Sequence, residues 1–379
     1  MKIAIFAARK THRTYARKLK PVLAKAINGS VDVLWYKDLW RRPGWLPYLR
    51  YCPLKSLSEI SADQMRTRDN DPEHLGKPGN PGTILVAALK KAEACITFAT
   101  YFHALKRRGT THLLLWNGLK FRQRICVEAA RMLNIPCYFI ERGAFPGTTT
   151  LDPKGINYLN SVPRDPMFYS TLPQATDAPY IEYDCERPAG LPERYVFVPF
   201  QVNIDSQIVL FSPWIKHMPD LVRKMVESCA RLGDKAPVLV FKPHPACGQD
   251  YSALEKSLES HPNIRFVHDI PAPDLIRHAD AVATINSSIG MEALLMKKKV
   301  IVMGQAFYNL PRLTLSAANE DQLEHALAAF SEWEPDAQLR DRFLSHIASE
   351  HIVAGRWKDA SLEHLDLVAT RVKQLAGNA

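Results

Sequence analysis

The sequence of 379 residues contains no apolar run long enough to cross a bilayer; runs such as Val196–Phe200 and the stretch around Ile301–Met303 fall far short. It has seven cysteines, an odd number, scattered and without a Cys-x-x-Cys pair. That pattern argues against a structural zinc site and for a reducing compartment, the cytoplasm by default. No Gly-x-Gly-x-x-Gly fingerprint occurs, so no dinucleotide cofactor is implied. No Asp-x-Asp metal motif stands at an expected strand end. No nucleic-acid-binding module is recognisable, so nucleic acid is not expected as a partner. The opening Met1–Ala8 is apolar, but Arg9-Lys10 cut it off too early for a secretory segment, and it reads as a first buried strand.

What is present is the composition of a globular chain: 46% hydrophobic and 23% charged residues, enough for two domains with their own cores. The net charge of +10 is unevenly spread. Lys10–Lys20 is basic without a single acid. Trp35–Lys55 then sets Trp35, Trp40, Trp45, Tyr48 and Tyr51 among Lys37, Arg41, Arg42 and Arg50. Bases interleaved with Trp and Tyr suit an anionic membrane surface or a polyanionic substrate.

The most informative stretch is Val238–Tyr308. Val238–Phe241 is a short apolar run stopped by Lys242-Pro243-His244-Pro245, which reads as a buried strand. Ala281–Ile285 is a second strand ending in Asn286-Ser287-Ser288. Ile289–Met296 then reads as a helix and Lys299–Met303 as a strand, completing a βαβ unit. Ligands of such sheets sit beyond the strands' carboxyl ends. Lys242, His244, Ser287 and Ser288 all fall there, and Ser288 lies near a helix N-terminus, which favours a phosphate. The combination points to a nucleotide-phosphate site.

Earlier in the chain, Ile3–Ala8 and Val31–Tyr36 read as strands around a basic helix. Gly76–Gly82 reads as a flexible loop, and Thr83–Cys95 as a helix. His112–Trp116 is a strand ending in the turn Asn117-Gly118. Arg122–Leu133 is a helix, and Cys137–Ile140 a strand delivering Glu141-Arg142-Gly143. A carboxylate at a strand end beside a glycine is suited to proton transfer in a cleft. Leu159–Pro192, rich in proline and charge, reads as a linker. Tyr195–Pro199 is a strand running into Gln201-Val-Asn-Ile-Asp205, with a helix near Met218–Leu232. Helices are expected over Asp321–Phe330, Asp336–Ile347 and Leu362–Leu375, the last with Leu365, Leu367 and Val368 on its apolar side.

Several of these elements resemble the capsular polysaccharide biosynthesis/export family of β-Kdo transferases, where Kdo is 3-deoxy-D-manno-octulosonic acid. The resemblance is carried by Lys242-Pro-His-Pro, Ser287-Ser288, Gly290-Met-Glu292-Ala-Leu-Leu and Val300-Ile-Val-Met-Gly304-Gln-Ala-Phe307-Tyr308. Asn117-Gly118, Glu141-Arg-Gly143-Ala-Phe-Pro146, Asp152-Pro-Lys-Gly155-Ile-Asn157 and the Gln-Val-x-x-Asp-Ser-Gln segment from Gln201 add to it. It spans about Trp116–Tyr308; the first hundred residues match only loosely.

The resemblance implies an α/β fold of GT-B type, two Rossmann-like domains facing a cleft. Residues 1–190 would form the acceptor-side domain with linker and 191–345 the nucleotide-sugar domain. Helices of 346–379 would pack back on the first domain. It implies CMP-β-Kdo as donor substrate, no cofactor, and a metal-independent retaining transfer through a covalent adduct. Asp205 would be the nucleophile and Glu141 the acid/base. His244 and Lys242 would neutralise the CMP phosphate. Gln201, Ser287, Ser288 and Glu292 would complete the donor site, and Asn117, Arg142, Gly143 and Asn157 the acceptor side. A lipid-borne or glycan acceptor and peripheral contact with the inner membrane face are the expected partners. Transfer of a CDP-alditol phosphate and a non-catalytic role in capsule export are the alternatives.

Overall fold

The computed structural model describes residues 1–39, 44–71, 73, 74 and 82–377. Trp40, Arg41 and Arg42 of the basic-aromatic segment, and 76–81 of the expected loop, lie outside the described residues. The chain divides into two compact units, one comprising Met1–Arg66, Gly76–Ser161 and His351–Ala379, the other Thr67–Leu75 and Val162–Glu350. The stretch expected as a linker therefore belongs to the second unit from residue 162 onward. Among the described residues no helix is long and apolar enough to cross a membrane.

The strands are, in order, β1 (Lys2–Ala7), β2 (Ser30–Trp35), β3 (His112–Trp116), β4 (Cys137–Arg142), β5 (Thr148–Asp152), β6 (Val196–Pro199), β7 (Leu239–Lys242), β8 (Ile264–Phe266), β9 (Ala281–Thr284), β10 (Lys299–Val302), β11 (Leu315–Ser316) and β12 (Ile352–Ala354). The first unit's sheet runs β12-β5-β4-β3-β1-β2. β1 to β4 are parallel, and β5 and β12 add antiparallel pairings at one edge. Strands buried on both faces must be apolar throughout, and Ile3–Ala7 of β1 are all buried. Helix Lys10–Ala26 covers the sheet with Tyr15, Ala16, Leu19 and Leu23, and helix Leu362–Gly377 joins it with Leu365, Val368, Ala369 and Val372. Each leucine or valine so buried stabilises the unit by roughly 1.5–3 kcal/mol. Leu367, expected on that apolar side, is instead 40% exposed: it is two positions from Leu365, on another face of the helix.

The second unit's sheet, β11-β10-β9-β6-β7-β8, is parallel throughout. Counted within the unit its strands run 6-5-4-1-2-3, so the order reverses between β6 and β9. That is the topological switch point, beyond whose strand ends a Rossmann sheet places its ligand. Helices Met218–Leu232 and Glu320–Ala329 bury Leu221, Val222, Met225 and Cys229 with Leu323, Ala326 and Leu327 in one core.

Candidate active site

In the second unit, the chain leaves β6 through Phe200-Gln201 and β9 through Ile285-Asn286, the two sides of the switch point. Gln201 Nε2 donates to Asn286 Oδ1 at 2.9 Å, and the Asn286 backbone N–H donates to Gln201 Oε1 at 3.2 Å. Asn286 Nδ2 in turn donates to the carbonyls of Gln207 and Phe211 at 3.0 and 3.1 Å. Both amides are buried, so these bonds fix the loops rather than reach outward. Gln201, expected to touch the donor, has both its amide atoms engaged with Asn286.

Four residues on, Asp205 is exposed and caps helix Ser206–Phe211, its Oδ1 accepting the Gln207 N–H at 2.9 Å. The neighbouring β7 ends in Lys242, and His244 follows, half-buried. Burial lowers the imidazole's pKa below the ordinary value, and the nearby Asp205 carboxylate works in the opposite direction. His244 Nδ1 accepts the Ala246 N–H at 3.0 Å. The neutral ring is thus held as the Nε2–H tautomer, with Nε2 as its remaining donor. Lys242 Nζ donates to the His268 carbonyl, and its pKa is lowered by burial, against the pull of Asp269. An open pocket of about 370 Å³ lies here, lined by Lys242, His244, Gln249, Tyr251, Glu255 and His268 among others.

Ser287 and Ser288 follow β9, on the other side of β6. Ser287 Oγ caps helix Ser288–Leu295 by accepting the Ile289 N–H at 3.2 Å, and Ser288 is exposed in its first turn. Tyr308, fully buried, donates to the Ser287 carbonyl at 2.5 Å. A Cβ on Gly290 would stand 2.4 Å from that tyrosine's hydroxyl, which is why glycine occupies this position under the helix. Glu292 lies half-buried on the same helix. With strands about 4.8 Å apart, β7 and β9 flank β6 at a separation of roughly 10 Å. The sequence motifs therefore form two groups on one sheet edge, His244 with Asp205 on one side and the serine-capped helix on the other.

In the first unit, β3 and β4 are neighbours, which brings Asn117 to Glu141. Asn117 Nδ2 donates to Glu141 Oε2 at 3.2 Å, and the Arg142 N–H donates to Oε1 at 3.1 Å. Glu141 lies within β4, whose pairing runs through Arg142, rather than past the strand's end. Asn117 takes a left-handed φ of 65°, and Gly118 one of 78° with the Phe139 ring only 2.5 Å from where its Cβ would be. Gly143 is packed as tightly against Thr148 in the β4–β5 turn. Arg142 is exposed. Asn157, at φ 53°, opens the turn Asn157–Leu159 after Asp152. Asp152 is buried and accepts from the Lys154, Gly155 and Ser161 N–H groups and from Ser161 Oγ, with His351 3.6 Å away. It organises that turn structurally.

Sequence reasoning missed His12, read only as part of a basic helix. It is 7% exposed, and its ring stacks on Trp116 at 4.6 Å and meets the edge of Trp357 at 5.7 Å. Burial, with Arg9 and then Lys120 nearby, brings its pKa down to about 4. No sequence signal announces this, because Trp116 and Trp357 are remote in the chain.

A sequence model of the family described as "capsule polysaccharide biosynthesis protein" matches residues 184–356. The matched segment contains Asp205, Lys242, His244, Ser287, Ser288 and Glu292. Over 255 residues the chain is 34% identical to Protein FixF of Sinorhizobium fredii (strain NBRC 101917 / NGR234), covering 65% of this chain and 61% of FixF. Over 163 residues it is 34% identical to the capsule polysaccharide export protein KpsS of Escherichia coli, covering 41% of this chain and 40% of KpsS. The chain thus spans less than two thirds of the length of these curated relatives. Among solved structures, the β-Kdo 2,7 transferase KpsC of Thermosulfurimonas dismutans superposes with a TM-score of 0.52 at 15% identity, covering 98% of this chain and all of that one. That likeness shows the fold: α/β of GT-B type, with two Rossmann-like sheets.

Proposed function

We propose that the chain is a glycosyltransferase of capsule or surface polysaccharide assembly, moving Kdo from CMP-β-Kdo to a lipid-borne or glycan acceptor with retention. The observation that carries the reading is Asp205 beside His244 on the carboxyl edge of the second sheet. Asp205 is exposed and oriented by its cap, as an attacking carboxylate must be. In the first step its oxygen forms a bond to the anomeric carbon of Kdo while the bond to the CMP phosphate oxygen breaks. His244 Nε2–H and the N-terminus of helix Ser288–Leu295 are the donors for the departing phosphate. Lys242 adds positive charge at the pocket mouth once it exchanges the His268 carbonyl for the ligand. In the second step the acceptor hydroxyl attacks the same carbon, the Asp205–sugar bond breaks, and the hydroxyl proton passes to a general base; Glu141 is the first unit's candidate for that role. Two displacements restore the starting configuration. No step is routed through a metal, and Glu292 is assigned to the cytidine ribose hydroxyls.

The reading extends to location: a peripheral protein at the cytoplasmic face of an anionic membrane. Lys10, Arg17, Lys18 and Lys20 of helix Lys10–Ala26 are all exposed and support it. The name of the Escherichia coli relative, a capsule polysaccharide export protein, favours a second reading, a component of capsule export without transferase activity. Incubating the purified chain with CMP-Kdo and a panel of lipid and glycan acceptors separates the two. Acceptor-dependent release of CMP with a Kdo-bearing product supports the transferase; CMP-Kdo left intact with every acceptor favours the export component.

A further inference from the structure

Helix Lys10–Ala26 begins directly after β1, and its N-terminus lies at the first sheet's own reversal of strand order, between β1 and β3. Its first turn contains no acidic residue, and its N-cap, Arg9, makes no side-chain capping bond. The free backbone N–H groups of that turn carry the positive end of the helix dipole. Arg9 and Lys120 are exposed beside it, and among the described residues neither pairs with a carboxylate. His12, in the same turn, is held between Trp116 and Trp357 and is more than nine-tenths buried. Its Nδ1 is buried without a hydrogen-bond partner. A buried unpaired ring nitrogen costs free energy unless something occupies the place it faces.

We infer that this N-terminus is a second anion site, taking a phosphate or carboxylate of the acceptor through the helix N–H groups, Arg9, Lys120 and His12. The inference deepens the proposed function and rests on it only in calling the ligand an acceptor; the anion site itself does not. Trp116 precedes Asn117, whose side chain donates to Glu141. An acceptor held by its anionic group here has its remaining hydroxyls on the same sheet edge as the proposed acid/base. A neutral imidazole supplies a hydrogen bond and tolerates the two flanking cations, which a protonated one would repel. The shared chemistry, an oxyanion on a hydroxylated acceptor, is met by a lipid phosphate headgroup and by an acidic sugar.

The test uses the full chain with isotope-labelled histidine, titrated with inorganic phosphate and followed by NMR. His12→Phe, which keeps the stacking on Trp116 and removes both nitrogens, assigns the His12 signal. Saturable movement of that signal is expected, with its pKa rising as phosphate binds, since an anion favours the protonated ring. Arg9→Gln/Lys120→Gln should weaken phosphate binding at least tenfold without changing the melting temperature. Parallel titrations with glycerol phosphate and with free Kdo distinguish a phosphate from a carboxylate as the preferred anion. A His12 signal indifferent to all three anions, or equal binding by the double variant, overturns the inference. CMP binding, measured on the same samples, reports separately on the proposed donor site.

Discussion

Gln201 and Asn286 stitch the second sheet's switch point together: one amide donates at 2.9 Å while its oxygen accepts the other residue's backbone N–H at 3.2 Å. The pair joins the end of β6 to the end of β9 and so sets the distance between the Asp205 loop and the Ser287 helix. Gln201→Leu would leave the Asn286 N–H and Oδ1 buried without partners. A loss of about 1–3 kcal/mol of stability is expected, read from the chemical denaturation midpoint. A variant as stable as the parent would show that the loops hold their geometry without the pair.

Asp205→Asn should bind donor as the parent does and transfer nothing. Asparagine caps a helix as well as aspartate, so the Gln207 N–H stays satisfied and stability should be nearly unchanged. The lost property is the ionised nucleophile. Under the proposed function, mass spectrometry of parent protein quenched with CMP-Kdo should find the sugar on Asp205. Its appearance on another residue, or turnover by the variant, would reassign the role.

His244 titrates below an ordinary histidine because burial opposes its charge, and Asp205 partly compensates. Removing the carboxylate in Asp205→Asn should therefore lower the His244 pKa further, a shift visible in histidine NMR. His244→Ala should weaken CMP binding roughly ten- to hundredfold, the cost of one hydrogen bond to a charged group. Unchanged CMP affinity by calorimetry would move His244 out of the donor site.

His12 makes the protein acid-sensitive. Its folded pKa of about 4 lies below the ordinary histidine value of 6.5, so the folded state holds it neutral. The stability gained is present in full above the unfolded pKa and is lost as pH falls toward the folded one. Between pH 6.5 and about 4, the melting temperature of the parent should fall more steeply than that of His12→Phe. Parallel curves for the two proteins would mean that His12 does not couple folding to pH.

Membrane contact is expected to be electrostatic. Replacing Arg17, Lys18 and Lys20 with glutamine removes three exposed charges, each contributing about 1 kcal/mol near an anionic surface. Flotation with anionic vesicles at low salt should drop, while transfer to a water-soluble acceptor should be retained. Parent protein that ignores such vesicles would leave the basic helix face with another task.

The parts of the fold legible in the sequence are those where one local pattern decides. β6, β7, β9 and β10 are short apolar runs closed by polar or proline-containing turns, and the motif residues after them stand on one sheet edge. β5 and the edge strands β8, β11 and β12 are not visible: with two to five residues each, they are made by pairing rather than by pattern. Helix Gly82–Arg108 was recognised only to Cys95, since its later part buries Phe98, Ala99, Tyr101, Phe102, Ala104 and Leu105 with no single apolar stripe. Helix Leu54–Asp69, which begins where the basic-aromatic segment ends, is not among the elements expected from the sequence. In the site, Asp205, His244 and Ser287 were legible as strand-end polar groups. The inward commitment of Gln201 was not, because its partner lies 85 residues away.

The first unit is assembled from both ends of the chain, and this has a consequence for biosynthesis. A nascent chain emerging from the ribosome presents β1 to β5 long before β12 and helix Leu362–Gly377 exist. Until then Tyr15, Leu19 and Leu23 lack the cover of Leu365, Val368 and Val372, and the outer edge of β5 has no partner strand. The second unit, drawn mainly from residues 162–350, has every residue it needs by the time residue 350 is free. The order of completion therefore reverses the usual N-terminal-first sequence of cotranslational folding: the later-made unit closes while the earlier-made one still waits for its last helix.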